Sequence, residues 1–157
     1  MTNIEELKLA RSDDENIRRM LTQNPNTSAE TLDKLSEDES QFVRVRVAAH
    51  INTSSETLDK MSKDESEYVR EFVAEHLSTP VETLVELSKD RLMAYWVAGN
   101  PNTPVNILNK LSEDEDENIR ASVSVNPSTP VETLVKLSKD DNEDVRAAVA
   151  KNPNRAS

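Results

Sequence analysis

A segment of nine residues recurs along the chain at an interval of about 26 residues. Its fullest copy runs from Asn126 to Leu134, and other copies begin at Asn24, His50, His76, Asn100 and, in truncated form, Asn152. The interval shortens to 24 residues only between His76 and Asn100. A fixed period of about 20–50 residues is the signature of a repeat architecture. This period constrains the fold more than any other feature of the sequence.

The recurring segment is predicted to separate two helices. In the fullest copy, Thr129 is expected to cap the following helix, and Pro130 to occupy its first position, where the missing N–H is harmless. Glu132 follows Thr129 by three residues, which is the spacing of a capping box. Prolines within the segment should end the preceding helix, because the residue before a proline is disfavoured in the α region. These prolines are Pro25, Pro101, Pro127 and Pro153.

The apolar residues of each repeat indicate two short helices. In the repeat that starts at His50, the first helix carries Leu58 and Met61, and the second carries Val69, Val73 and the small Ala74. These spacings place the apolar side chains on one face of each helix. Helices of this length are marginal alone, so stacking must supply the core. We predict an all-α solenoid in one domain over residues 1–157, with a degenerate repeat at 1–23, repeats starting at 24, 50, 76, 100 and 126, and a truncated one at 152–157.

An acidic turn lies between the two helices of each repeat. In four of the turns the aspartate, at position 38, 64, 114 or 140, is followed three residues later by Gln or Glu. This spacing predicts that the aspartate caps the second helix. An arginine follows the aspartate by six residues, except that Ala94 interrupts the arginine column. A planar guanidinium suits partly buried paired sites, so a structural ladder is favoured over an anion-binding stripe. The ladder residues are Asp38, Arg44, Asp64, Arg70, Asp114, Arg120, Asp140 and Arg146.

Two segments, Thr129–Ser138 and Val145–Pro153, together resemble the leucine-rich repeat variant family, and the pattern covers nearly the whole chain. The resemblance implies a HEAT-like α-solenoid, a right-handed superhelix in which α-helices alternate with α or 3₁₀ helices. It also implies that the Asp and Arg columns link neighbouring repeats. Some members of the family carry an N-terminal cysteine cluster that holds an iron–sulfur centre. This chain has no cysteine, so that function does not carry over.

The charge of the chain excludes several classes of partner. Nineteen basic and 30 acidic residues give a formal net charge of −11. Nucleic-acid binders carry a basic face that neutralises phosphates, and no basic cluster stands out here. Anionic membrane surfaces are disfavoured by the same sign, and no apolar run approaches the roughly 18 residues of a membrane span. We expect no nucleic acid, no membrane and a cytoplasmic location.

No motif in the sequence proposes a catalytic, cofactor or metal site. His50 and His76 are one repeat apart, about 8–10 Å by helix stacking, which is too far to share a zinc ion. The acidic turns lack the glycine that a calcium loop of the EF-hand type needs. Paired catalytic carboxylates need an apolar cleft that raises one pKa, and these turns are hydrophilic.

The aromatic residues are the most informative irregularity. All five lie in the predicted second helices of the first three full repeats: Phe42, Tyr68, Phe72, Tyr95 and Trp96. The columns that hold them vary between repeats, as a partner-binding surface would. Alternatively, they fill a gap in the core where the third repeat is two residues short. Because Trp, Tyr and Arg are enriched in binding hot spots, the first interpretation gives the candidate partner-binding residues Arg46, Phe72, Tyr95 and Trp96.

Taken together, these patterns favour a non-enzymatic scaffold that binds a protein or a peptide. An acidic surface suits a basic partner. One alternative is a nucleic-acid-processing enzyme similar to HEAT-like DNA glycosylases, and the acidic charge argues against it. Another is a self-assembling structural protein, because a further repeat would begin at Asn152 and this end could stack weakly on a neighbouring molecule.

Overall fold

The computed structural model describes residues 2–155, which form twelve α-helices and no strand. The first helices of the repeats are α1 (Asn3–Leu9), α3 (Ala29–Leu35), α5 (Ser55–Met61), α7 (Val81–Leu87), α9 (Val105–Leu111) and α11 (Val131–Leu137). The second helices are α2 (Glu15–Gln23), α4 (Gln41–Ala48), α6 (Glu67–Glu75), α8 (Ala94–Gly99), α10 (Glu117–Val125) and α12 (Glu143–Val149). The all-α helical-repeat class is confirmed, and both helices of every described repeat are α. None of these helices is long and apolar enough to cross a membrane.

The helices form two compact units, one up to Pro80 and one from Val81. In the first unit, α2 packs against α4 and α4 packs against α6, while α1 packs against α3. In the second unit, α8 packs against α10 and α10 against α12. The second helices of each unit therefore lie side by side. The assignment of residues 1–157 to a single domain stays a prediction.

The core of each repeat consists of the apolar residues that the periodicity indicates. In the repeat starting at His50, Leu58, Met61, Val69, Val73 and Ala74 are all buried. Fully burying one such larger aliphatic side chain stabilises the folded state by about 1.5–3 kcal/mol. The same positions are buried in the other full repeats, except that Ala150 is exposed in the last one, so stability comes from many small layers of side chains.

The predicted threonine caps are wrong. The N-cap residues of α3 and α5 are Ser28 and Ser54, and Pro130 is the N-cap of α11 where the sequence predicted it to be the first helical residue. The threonine hydroxyl instead donates to a carbonyl at the end of the preceding helix, from Thr129 to Val123 at 2.6 Å. The last carbonyls of a helix lack intrahelical donors, so this bond satisfies one of them. The threonines that do so are Thr27, Thr53, Thr79, Thr103 and Thr129.

The predicted aspartate caps of the second helices are also wrong. The N-cap of α4 is Ser40, two residues after Asp38, and the same offset holds for α6, α10 and α12. Asp38 Oδ1 accepts from the Ser40 backbone N–H at 2.9 Å, which closes a turn just before the helix. Asp64, Asp114 and Asp140 do the same. These carboxylates therefore hold the turn together. Each can still accept further hydrogen bonds from an arginine side chain.

Candidate interaction surface

In the first unit, arginines of the second helices join consecutive acidic turns. Arg44 Nη1 donates to the Asp38 carbonyl at 3.0 Å, within its own repeat. Arg44 Nε and Nη2 donate to the Asp64 carboxylate of the next repeat at 2.7 and 3.1 Å. Arg18, which the sequence analysis did not include, makes the same links to the Ser12 carbonyl and the Asp38 carboxylate. These guanidinium groups are directed at acceptors of the protein itself.

The second unit contains the same link between α10 and the turn before α12. Arg120 Nη1 donates to the Asp114 carbonyl at 2.7 Å, and Nε and Nη2 donate to the Asp140 carboxylate at 2.8 and 2.9 Å. Hydrogen bonds from Arg120 hold the pKa of the Asp140 carboxyl below its usual value. Arg146 Nη1 in turn donates to the Asp140 carbonyl at 2.6 Å. Arg70, in the first unit, donates likewise to the Asp64 carbonyl at 2.8 Å.

A second column of polar residues lies at the ends of the second helices. His50 Nδ1 accepts from the Asn52 backbone N–H at 3.1 Å, so the ring proton sits on Nε2. That Nε2 donates to the Asn24 carbonyl at 3.0 Å, one repeat earlier. His76 repeats the arrangement with the Ser78 N–H and the His50 carbonyl, both at 3.0 Å. The two histidines are thus engaged in links between repeats.

In the second unit, an asparagine makes the same hydrogen bonds between repeats as the histidines do. Asn126 Oδ1 accepts from the Ser128 N–H at 2.8 Å, and its Nδ2 donates to the Ala98 and Asn100 carbonyls at 2.7 and 2.8 Å. The amide oxygen therefore matches histidine Nδ1, and the amide nitrogen matches Nε2. Within residues 2–155, no group of His, Asp or Glu side chains could hold a metal ion.

We expect His50→Asn to preserve stability and His50→Ala to lower the free energy of unfolding by about 1–3 kcal/mol, the cost of leaving buried polar groups unsatisfied. Urea unfolding followed by circular dichroism would measure both. An equal loss in the two variants would contradict the equivalence of the two side chains.

The structure places the aromatic residues at the surface. Phe42, Tyr68, Phe72 and Tyr95 are exposed, and Trp96 is half-buried. In the first unit, the candidate residues Arg46 and Phe72 lie on the neighbouring helices α4 and α6. In the second unit, Tyr95 and Trp96 contact each other edge to face, with ring centroids 5.0 Å apart. None of the five rings belongs to the buried core.

The sequence patterns did not identify two exposed apolar residues. Ile51 is 78% exposed and Leu77 is 67% exposed. Both stand directly after the histidine of the second polar column, at the position that proline occupies in the remaining copies of the segment. The signal that could have found them is this departure from proline in two consecutive repeats.

Two surface grooves lie at equivalent positions of consecutive repeats in the first unit. The first groove, of about 390 Å³, lies between the ends of α2 and α4 and is lined by Arg46, Ala49 and Ile51, among others. The second groove, of about 400 Å³, lies between the ends of α4 and α6 and is lined by Ala49, Ile51, Phe72, Glu75 and Leu77, among others. Ala49 and Ile51 line both grooves, and we take the exposed side chain of Ile51 as the ridge between them.

The second groove is lined by Glu75, whose surroundings disfavour the ionised form of its carboxylate. Glu75 is an exposed residue, but partial burial of its carboxylate raises its pKa, and the nearby carboxylate of Glu71 raises the pKa further. Both effects disfavour the ionised form. A cation placed in the groove would offset both of them.

The chain has the fold of a known helical-repeat protein. It superimposes over 97% of its length, with a TM-score of 0.71 and 25% sequence identity, on the solved structure of a leucine-rich repeat variant with a novel repetitive structural motif. The chain spans 62% of the length of that structure. A designed armadillo repeat protein is similar over 96% of this chain and 98% of its own, at 18% identity and a TM-score of 0.49. No protein-family model and no curated protein matches the chain. The leucine-rich repeat variant structure confirms the predicted resemblance and the repeat fold.

Proposed function

We propose that this protein is a non-enzymatic scaffold whose first unit binds a peptide or an extended segment of another protein. The observation that carries the proposal is the pair of equivalent grooves on consecutive repeats, with Ile51, Phe72 and Leu77 exposed along them. Contiguous exposed apolar side chains are characteristic of interaction surfaces. Ile51 and Leu77 replace prolines of the other copies, so the repeat fold itself does not require them.

The partner is proposed to be basic. The chain carries a net charge of −11, and Glu75 lines the second groove. A lysine or arginine of the partner would stabilise the ionised Glu75 carboxylate against Glu71. Long-range attraction to an acidic protein also speeds association, and salt screens it over about 8–10 Å. Binding should therefore weaken as the salt concentration rises.

Tyr95 and Trp96 are proposed as a contact point of the second unit. Their rings pack edge to face at the surface, and large aromatic side chains dominate the energetics of many interfaces. Tyr95 presents most of this exposed area, since Trp96 is half-buried.

A random-peptide display selection would test the scaffold function. Immobilised wild type is compared with an Ile51→Pro/Phe72→Ala double variant, in which each new residue already occupies the equivalent position of another repeat, as Pro127 and Ala148 do. We expect peptides that bind the wild type and lose at least about tenfold in affinity on the double variant, as removal of buried apolar contacts predicts.

Val135→Ala serves as the matched control, because it shortens an exposed aliphatic side chain of the second unit. It should leave the binding of selected peptides unchanged, and circular dichroism should show both variants folded. Peptides that bind all three proteins equally, or a wild type that enriches no peptide, would refute binding through the two grooves.

A further inference from the structure

We infer that the two grooves take one polyproline II segment with an apolar side chain at every third residue and a lysine or arginine beside Glu75. The inference rests on the proposed peptide-binding function and specifies the conformation and chemistry of the ligand. It follows from the interval between the grooves, the ridge that separates them and the charged groups at their edges.

The interval between the grooves is set by helix packing. The first groove lies between the ends of α2 and α4, and the second between the ends of α4 and α6. These helices pack side by side, and packed helices are about 8–10 Å apart. The grooves therefore recur at about 8–10 Å, and their lining follows the repeat, with Phe72 at the position of Arg46 and Leu77 at the position of Ile51.

A polyproline II helix matches this interval. It has three residues per turn and rises about 3.1 Å per residue, so side chains three residues apart point the same way at about 9.3 Å. A β-strand places same-face side chains about 6.6 Å or about 13 Å apart, and neither distance fits. Because the two intervening residues of a polyproline II turn point away from the surface, such a segment can pass over the ridge between the grooves.

An α-helix fits the interval but not the ridge. Residues seven apart in an α-helix are separated by about 10.5 Å along its axis. In such a helix, the residues three and four positions after the first groove-binding side chain lie on the same face. They would therefore sit between the two side chains that enter the grooves. There they would meet Ile51, which is 78% exposed between the grooves. The exposed Ile51 side chain therefore favours a polyproline II segment over an α-helix.

The charged groups at the edges suit the same ligand. A polyproline II backbone makes no internal hydrogen bonds, so its carbonyls need external donors. Arg46 lines the first groove, and its guanidinium group can donate to these carbonyls. Glu75 lines the second groove, and its carboxylate can accept from a lysine or arginine. Phe72 adds an aromatic wall, of the kind that proline-rich ligands use in other domains. The ligand would therefore place its basic residue at the α6 end.

Fluorescence anisotropy with synthetic peptides would test the inference on the full chain. The probe is fluorescein-labelled Leu-Pro-Pro-Leu-Pro-Pro-Arg, and its control of equal composition is Leu-Pro-Leu-Pro-Pro-Pro-Arg, in which the leucines are two residues apart. Burying the second leucine predicts that the probe binds at least about tenfold more tightly than the control. Ile51→Pro and Phe72→Ala should each weaken probe binding by about tenfold, and Glu75→Gln should remove the preference for Arg over norleucine at the last position.

Ile51→Pro is a mild change to the fold. Within the described residues, the Ile51 N–H donates no hydrogen bond. The residues before the natural prolines, such as Asn24 and Asn126, are extended, with ψ of 112° and 125°. Proline favours this conformation in the residue that precedes it. Equal circular dichroism spectra and thermal midpoints would confirm that the variant is folded.

Two outcomes separate this inference from the proposed function. Equal affinity for both peptides, or tighter binding of an α-helical peptide with leucines seven residues apart, would overturn the polyproline II inference. If display-selected peptides of another spacing still depended on Ile51 and Phe72, the scaffold function would stand without it. If no peptide depended on these residues, both would fail.

Discussion

Replacing Arg44 with alanine is expected to lower the free energy of unfolding by about 3–5 kcal/mol, the usual consequence of removing one partner of a buried ion pair. The Asp64 side chain is only 9% exposed, and it receives two hydrogen bonds from Arg44. Without the guanidinium, this carboxylate stays buried without its main donor. The Asp38 carbonyl loses a donor as well.

Urea unfolding followed by circular dichroism would measure this loss. Lys60→Ala is the matched control, because Lys60 pairs with Asp33 at 2.8 Å with both side chains exposed. Exposed ion pairs contribute little, so the control should leave the unfolding midpoint nearly unchanged. Arg44→Lys should restore only part of the loss, since an ammonium group cannot reproduce the planar fork of donors. Equal effects of Arg44→Ala and Lys60→Ala would contradict the structural role of the buried pair.

Leu108→Ala is expected to lower the free energy of unfolding by about 2–5 kcal/mol, the usual range for a buried leucine. Leu108 is 0% exposed, so the substitution removes buried apolar surface and leaves a cavity between helices. Val105 lies on the same helix, α9, and is 49% exposed. Val105→Ala should change stability by no more than about 0.5 kcal/mol, as is usual for surface substitutions. Thermal and urea unfolding of the pair would measure the difference, and a comparable loss in both would contradict the burial pattern.

The fold could be predicted because its signal is repeated. The same two apolar spacings recur in every repeat, so an irregular residue in one copy does not obscure the pattern. The helix boundaries could not be predicted as well, because a threonine at a boundary can form either of two hydrogen bonds. Its hydroxyl can accept from the next helix or donate to the previous one, and Thr129 does the latter. Sequence alone does not distinguish these bonds.

The arginine contacts between repeats show why some contacts cannot be predicted from a sequence. Arg18 was missed because Ser12 stands where the other repeats have aspartate. The structure uses the backbone carbonyl of Ser12, a group that any residue could supply. The grooves were missed for a different reason. Ile51 and Leu77 are ordinary apolar residues, and their exposure follows only from the backbone position that they share with proline.

The polar links between repeats also determine how such a chain can change in length. Arg44 bonds to a residue 20 positions ahead, and His50 bonds to one 26 positions behind. A gene duplication of 26 codons within a unit would therefore create a repeat whose donors and acceptors already match both of its new neighbours. Insertions of a few codons would instead separate each donor from its acceptor. Selection should accordingly permit growth and loss of whole repeats far more readily than small insertions inside them.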